Sequence, residues 1–287
     1  MEKSITVSAY AKINLTLDVT GRRGDGYHTL NTIMQSISLA DIVTLTLNSD
    51  NKITVDCSMP GIPCNEKNIA YKAAMLFFDE TGIRCNGLHI SIEKHIPCEA
   101  GLGGGSADGA AVLCGINRLY GAGLDENRLC GIGVKAGADV PFCIVGGTKL
   151  CEGIGEVISD VPELQNCFIV IGKGTAGIST KEAFGRIDKL ELYNTASFGA
   201  AFDGTLKSIS EIGKNIFEEA AECSDVEQIK KICLNDGAVY SAMSGSGSAV
   251  FGLFEDMTSA RDCCNDLQKN GYFSAVCTPV SCGTLFM

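Results

Sequence analysis

The chain has 287 residues with 45% hydrophobic content, enough for two domains at roughly 150 residues each and for a core in both. Its 23 Lys and Arg residues against 34 Asp and Glu leave a net charge of -11, which excludes a general binder of nucleic acid or of anionic membranes; an anionic substrate must meet local positive charge. Fifteen cysteines, an odd count without a C-x-x-C pair, and three histidines, His28, His89 and His95, give neither a disulfide framework nor a metal-ligand cluster.

From Ile5 to Val19 every odd position is apolar and every even one is polar or carries a hydroxyl. This period of two predicts a strand or bent strand pair, with Tyr10, Lys12 and Asn14 sharing the face opposite the core. Gly21-Arg-Arg-Gly-Asp-Gly-Tyr-His28 breaks the pattern as a loop with cations and an aromatic ring. Asp41 to Leu47 and Lys52 to Cys57 alternate about Asn48-Ser-Asp-Asn51, which predicts a hairpin, and Asn68 to Phe78 reads as a helix ended by Gly82. Leu88, Ile90 and Ile92 mark a half-buried strand that runs into Pro97-Cys-Glu-Ala-Gly-Leu-Gly-Gly-Gly-Ser-Ala-Asp108. Ala110, Ala111, Leu113, Ile116 and Leu119 then follow helical spacing, with Ser106 or its neighbour as N-cap.

Asp125 to Ala136 is a further helical run, closed by Gly137-Ala-Asp-Val-Pro-Phe142, and Gly146 to Glu156 returns to extended structure. Phe168 to Ile171 is a β-rich core run that opens the second of two expected domains, 1–160 and 161–287. Ser179-Thr-Lys-Glu182 and Ser224-Asp-Val-Glu227 fit the capping box, so helices are expected after Ser179 and after Ser224, with a helical stripe of Leu206, Ile209, Ile212 and Ile216 between them. Strands at Ala238 to Met243 and Ala249 to Phe254 flank Ser244-Gly-Ser-Gly-Ser248, and a helix near Thr258 to Asn270 and a strand near Ser274 to Val276 follow. No flexible linker lies near residue 160, so the halves are expected to pack tightly. With no basic-plus-apolar leader and no apolar run near the roughly 18 residues that span a bilayer, a cytoplasmic location is expected.

Gly101, Gly103, Gly104 and Gly105 lack Cβ atoms, so the backbone can take positive φ and bring its N–H groups close to an anion, and a helix N-terminus adds about half a positive charge. A phosphate is the expected ligand. No Lys occurs in the loop, as a Walker A sequence requires; Ser106 stands where a dinucleotide fingerprint has its third Gly; and a protein-kinase loop would not lead into a helix. Pro97-x-x-x-Gly-Leu-Gly-Gly-Gly-Ser106 resembles the phosphate loop of the GHMP kinases, the superfamily of galactokinase, homoserine kinase, mevalonate kinase and phosphomevalonate kinase. The triple Gly is most similar to the diphosphocytidyl-methylerythritol kinases within it. Tyr10-Ala-Lys-Ile-Asn-Leu15 is similar to that family's first strand, Gly24-Asp-Gly-Tyr-His28 to its substrate loop and Gly137 to Phe142 to the segment with its catalytic Asp. Gly153-Ile-Gly-Glu156 and Met243-Ser-Gly-Ser-Gly247 complete the set in order.

The resemblance implies an α+β GHMP kinase fold: an N-terminal domain like the second domain of ribosomal protein S5, a ferredoxin-like C-terminal domain, and an active site between them. It implies ATP-dependent phosphorylation of the 2-hydroxyl of a cytidine diphosphate alcohol in non-mevalonate isoprenoid synthesis, with Mg²⁺ to offset phosphate charge. Lys12 and Asp139 become the catalytic pair, Asp139 accepting the proton of the attacking hydroxyl and Lys12 stabilising the developing alkoxide; on spacing alone a turn Asp and a solvated Lys would account for both. Asn68 and Lys94 are expected near the adenosine, and Pro97, Gly101, Leu102, Gly103, Gly104, Gly105, Ser106 and Ala107 about the phosphates. Asn14, Tyr27, His28, Thr180 and Phe184 are expected at the acceptor substrate, with Ser106 as first candidate metal ligand and Asp108 as a further one.

Four positions depart from the family's pattern. Ser248-Ala249 replaces Pro-Thr, Met34 stands where an aromatic often lines the cytidine site, and Gly109 replaces a helical Ala at a cost of about 1 kcal/mol. The alternatives are a homoserine- or mevalonate-type kinase and a catalytically inactive ligand-binding relative. A flat aromatic-imidazole pair suits a pyrimidine better than a small acid, and retention of Lys12 and Asp139 speaks against an inactive protein. No nucleic-acid or membrane partner is expected, and the sequence leaves monomer and homodimer open.

Overall fold

A computed structural model describes residues 3–194, 197–220 and 223–287. The alternating N-terminal segment is one long strand, β1 (Ser4–Arg22), paired antiparallel with β2 (His28–Leu47). Its odd positions are buried in the core as expected. The register shifts at Tyr10/Ala11, Asn14/Thr16 and Val19/Gly21, and such bulges bend a strand pair and re-aim its side chains. The even face is buried too: Lys12, Asn14, Thr16 and Asp18 are covered from the other side, so this polar row is interior.

The expected hairpin does not form. The Asn48 side chain does accept the Asp50 N–H, but β3 (Ile53–Cys57) then pairs parallel with the strand after α1 (Ile69–Thr81), β4 (Leu88–Glu93), which lies between β2 and β3. With Leu88, Ile90 and Ile92 all buried, β4 takes the inner position and the more polar β3 the edge. Next come α2 (Gly104–Leu119), α3 (Glu126–Ala136), α4 (Val140–Val145), β5 (Thr148–Gly153) and β6 (Val157–Asp160), with β5 pairing the first half of β2 and β6 pairing β5. Asn68 caps α1 by accepting the Ala70 N–H, and Asp125 caps α3 by accepting that of Arg128. A Cβ at Gly109 would stand 2.8 Å from Ile69 Cγ2, so the Gly that departs from the family's Ala admits close contact between α1 and α2.

The second sheet contains β7 (Phe168–Lys173), then α5 (Thr180–Leu190), α6 (Leu206–Ile212), α7 (Phe217–Ala220), α8 (Ser224–Asn235), β8 (Tyr240–Met243), β9 (Val250–Phe254), α9 (Met257–Lys269) and β10 (Phe273–Cys277). Its antiparallel order β10-β7-β9-β8 is the split β-α-β arrangement of ferredoxin-like domains. Ser179 caps α5 as expected. Two expectations are corrected. The Leu206 stripe stops at Ile212, capped by Gly213, and Ile216 reaches the core beyond a bridge between Leu17 and Asn215; α8 starts at Ser224 itself, with Cys223 at the cap and no side-chain cap bond. A strand without signal in the sequence, β11 (Thr284–Phe286), crosses back to pair with β1, so residues beyond the ferredoxin-like unit extend the first sheet. Among the described residues no helix is long and apolar enough to cross a membrane.

Candidate active site

A cavity of about 890 Å³ lies between the two sheets, walled by β1, the loop before α2, the start of α4, the Tyr27 loop, α5 and the loop after β8. The Gly-rich loop forms its floor. Gly101 and Gly103 take positive φ (73° and 70°), whereas Gly104 and Gly105 open α2. Ser106 is therefore the third residue of the helix and not its N-cap; that place belongs to Gly103. No side chain caps α2 and no acid stands in its first turn, so no side chain competes with an anion for its leading N–H groups.

Both halves of the molecule hold this loop. The Lys12 N–H donates to Leu102 O at 3.0 Å, the Ser244 hydroxyl to Gly101 O at 2.9 Å, and the Ala249 N–H to Ala100 O at 3.0 Å. The Asn14 N–H donates to Ser244 Oγ at 3.3 Å, closing the circuit onto β1. Ser248, for its part, donates to Ala176 O, so both Ser248 and Ala249 make contacts although they replace Pro-Thr.

Lys12, 4% exposed, directs Nζ to Asn14 Oδ1 at 2.7 Å and stands 3.4 Å from Asp139 Oδ2. Asn14 Nδ2 in turn donates to Thr32 Oγ1 at 2.9 Å, which fixes the amide with its oxygen toward the ammonium. Asp139 sits at the start of α4 yet makes no side-chain cap bond, so its carboxylate is free for the cavity.

Lys94 lies behind the loop. Its ammonium contacts Asp41 and Asp108, the latter at 2.8 Å, and Asp41 also accepts the His95 and Ile96 N–H groups at 2.6 and 2.8 Å. Burial works against the ammonium, but the Asp108 and Asp41 carboxylates outweigh it and hold Lys94 above its ordinary pKa. Burial raises Asp108 from 3.8 to about 7, opposed by Lys94 and reinforced by Asp41. The folded protein thus retains a proton that the unfolded chain releases at much lower pH. This stabilisation is full below about pH 4 and is lost as the pH rises through about 7. Asp108→Asn is expected to flatten the fall in melting temperature between about pH 5 and pH 8, read by scanning calorimetry; an unchanged slope would remove Asp108 from that account.

At the other end of the cavity, Tyr27 is 58% exposed on the lip. The His28 ring is packed: it stacks on Phe184 with centroids 4.5 Å apart and planes at 18°, while Nε2 lies 2.5 Å from Asp188 Oδ1. Phe184 meets Phe217 edge-on at 4.9 Å. Thr180 and Ser246 share a hydrogen bond at 2.9 Å across the mouth. Hydrogen bonds from His28 and Tyr193 hold Asp188 below the ordinary carboxyl range.

Most residues singled out in the sequence meet here. Lys12, Asn14, Tyr27, His28, Asp139, Thr180 and Phe184 line the cavity, as do Lys94, Pro97 and the loop from Gly101 to Ser106; Met34 lines it in place of an aromatic. Asn68, Ala107 and Asp108 do not. Asn68 is occupied at the start of α1, donating Nδ2 to Pro63 O at 2.8 Å, and Ala107 is buried in the core. Sequence reasoning missed Arg22, Asp41, Asp188 and the bond from Ser244. Thr180, Phe184 and Asp188 fall at helical i, i+4, i+8 spacing, a signal that would have found Asp188. Nothing local marks Asp41, whose role arises only when β2 and β4 pair.

The model for the GHMP kinases N terminal domain matches residues 68–147, and that for the GHMP kinases C terminal matches residues 200–272. The chain is 42% identical over 263 residues to the 4-diphosphocytidyl-2-C-methyl-D-erythritol kinase of Clostridium tetani, covering 90% of this chain and 93% of that one. It is 41% identical to the enzyme of the same name from Clostridium novyi over 89% of this chain and 92% of the other. A crystal structure of 4-(cytidine 5'-diphospho)-2C-methyl-D-erythritol kinase superposes with a TM-score of 0.79 at 30% identity, covering 95% of this chain and 98% of that chain. Homoserine kinase from Cytophaga hutchinsonii superposes with a TM-score of 0.81 at 21% identity over 100% of this chain and 98% of the other, a likeness of fold.

Proposed function

The chain belongs to the 4-diphosphocytidyl-2-C-methyl-D-erythritol kinase family of the GHMP kinases, and from that premise we propose how its own residues transfer the γ-phosphoryl group of ATP to the 2-hydroxyl of that alcohol. It is an ATP-dependent small-molecule kinase of non-mevalonate isoprenoid synthesis. The observation that carries the mechanism is the Lys12–Asp139 pair, 3.4 Å apart, in the cavity that also holds the uncapped start of α2 at one end and the His28–Phe184 stack at the other.

ATP supplies the phosphoryl group. The backbone of Gly101 to Gly105 and the N-terminus of α2 bind phosphate and keep it in line with the acceptor. Asp139 orients the acceptor hydroxyl and takes its proton, late in a loose transition state. Lys12, ion-paired with that carboxylate, balances charge on the attacking oxygen, its own position set by Asn14. A Mg²⁺ ion is part of this proposal. Ser106 lines the cavity in the first turn of α2, whereas Asp108 holds Lys94 through Oδ2 and does not line it. A single hydroxyl, with no cluster of three ligating side chains among the described residues, fits an ion that phosphates and water otherwise hold.

We assign residues 1–160 to phosphate binding and residues 161–287 chiefly to closing the acceptor pocket, and a reducing cytoplasm as the setting for fifteen unpaired cysteines. The deciding experiment is ATP consumption measured in parallel with the cytidine diphosphate alcohol, mevalonate and homoserine. Turnover of the first alone is expected; preference for either other alcohol would overturn the substrate. Tyr27, exposed on the lip, is assigned to the base face. Tyr27→Ala is expected to weaken binding of the cytidine alcohol by roughly tenfold to a hundredfold in titration calorimetry while ATP binding barely changes. Equal weakening for an analogue lacking the base would show that Tyr27 does not touch it.

A further inference from the structure

Asp188 is the hub of a small network on the cavity wall that phosphoryl transfer does not use. Its Oδ1 lies 2.5 Å from His28 Nε2 and accepts the Tyr193 hydroxyl at 2.7 Å, and its Oδ2 lies 3.0 Å from an Arg22 guanidinium nitrogen. The network joins the two halves of the molecule, since Arg22 and His28 belong to the β1–β2 turn and Asp188 and Tyr193 to α5 and the residues after it. Phe184, one turn before Asp188 on α5, fixes the imidazole plane by stacking.

A carboxylate accepts and cannot donate, so the ring nitrogen beside it must carry a proton. In the neutral ring this leaves Nδ1 unprotonated and an acceptor, and among the described residues Nδ1 has no hydrogen-bond partner. Arg22 on the other oxygen already balances the carboxylate charge. The two pyrimidines differ at position 4, where cytosine presents an amino donor and uracil a carbonyl acceptor. An imidazole fixed with a bare Nδ1 can pair with the first and not with the second.

We infer that Asp188 is a positioning residue that sets the His28 tautomer and so gives the site its preference for cytosine over uracil. The inference rests on the cytidine substrate proposed above for the selectivity it explains, but not for the tautomer itself.

The test therefore has two arms. With only His28, His89 and His95 in the chain, nitrogen NMR of ¹⁵N-histidine-labelled protein resolves each ring. His28 is expected with Nε2 protonated and Nδ1 bare, and in Asp188→Asn, whose amide can present either its oxygen or its NH₂, as a mixture of tautomers. A protonated Nδ1 in the parent protein would overturn the inference whatever the variant does. In the kinetic arm, Asp188→Asn is expected to raise KM for the cytidine alcohol about tenfold, more than kcat falls. It should also shrink the preference in kcat/KM over the uridine analogue by about tenfold, or about 1.4 kcal/mol. Asp188→Glu, which keeps an acceptor-only group, is expected to recover part of that preference. A preference unchanged in Asp188→Asn would overturn the inference, as would a fall in kcat equal for both alcohols. Failure of the parent protein to use the cytidine alcohol would sink the substrate proposal instead, and the NMR arm would still decide the tautomer.

Discussion

Asp139→Asn is expected to lower kcat by about 10² or more with little change in KM for either substrate, because the amide keeps the shape of the carboxylate and removes its charge and basicity. The structure sharpens this expectation. The Asp139 carboxylate caps no helix, its salt-bridge partner is Lys12, and Lys12 is held by Asn14 as well. The fold therefore loses little when Asp139 is neutralised, and the deficit should appear in turnover. Lys12→Met should give a loss of the same order. If the two act as one unit at the attacking oxygen, the double variant will be less damaged than the product of the single effects. Steady-state and single-turnover kinetics read all three numbers. Near-parental turnover in Asp139→Asn would remove the carboxylate from the reaction, and full additivity would show that the two groups work independently.

The second large effect is expected at Gly101. Its φ is 73°, and a Cβ there would lie 1.9 Å from the carbonyl oxygen of Ser244, a backbone atom that cannot swing aside. Gly101→Ala must displace either the phosphate loop or the loop after β8, breaking the Ser244 hydroxyl bond to Gly101 O and putting at risk the adjoining Ala249 bond to Ala100 O. Left-handed backbone at a non-Gly residue alone costs of order 1 to 3 kcal/mol, and the clash adds to it. KM for ATP should rise by at least about tenfold, or about 1.4 kcal/mol, with a fall in melting temperature of several degrees. Gly131→Ala on the open face of α3, where a Cβ would meet nothing within 4 Å, is the control and should be neutral or stabilising by about 0.4 to 1 kcal/mol. Equal behaviour of the two variants would refute the proposed contact.

Elements with a sustained period could be read from the chain. The β1 alternation, the helix after the phosphate loop and the β8–β9 pair lie close to where their side-chain patterns place them. The strand order could not. Alternation at Asp41 to Leu47 and Lys52 to Cys57 says that both segments are strands, but which neighbour each pairs with depends on Leu88 to Ile92, more apolar and 40 residues downstream of the turn at Asn48. β6 and β11, four and three residues long, are too short to show any period. At the site, Lys12, Asp139 and the Gly-rich loop were legible because a motif marks each of them. Asp41 was not, because it takes its function from Lys94, more than 50 residues away, and Asp188 is marked only by its helical spacing from Thr180 and Phe184, its partner His28 lying on a distant strand.

The return of residues 284–286 to the first sheet has an implication for how the chain comes off the ribosome. The phosphate loop and the rest of the first sheet are made by residue 160, yet the outer edge of β1, from Val7 to Ala9, has no strand beside it until more than a hundred further residues have emerged. Until then the nascent protein carries an open strand edge, the kind of surface through which incomplete chains pair with one another. The segment that finally covers it is three residues long, so its value lies less in the energy of its few hydrogen bonds than in denying that edge to a second molecule.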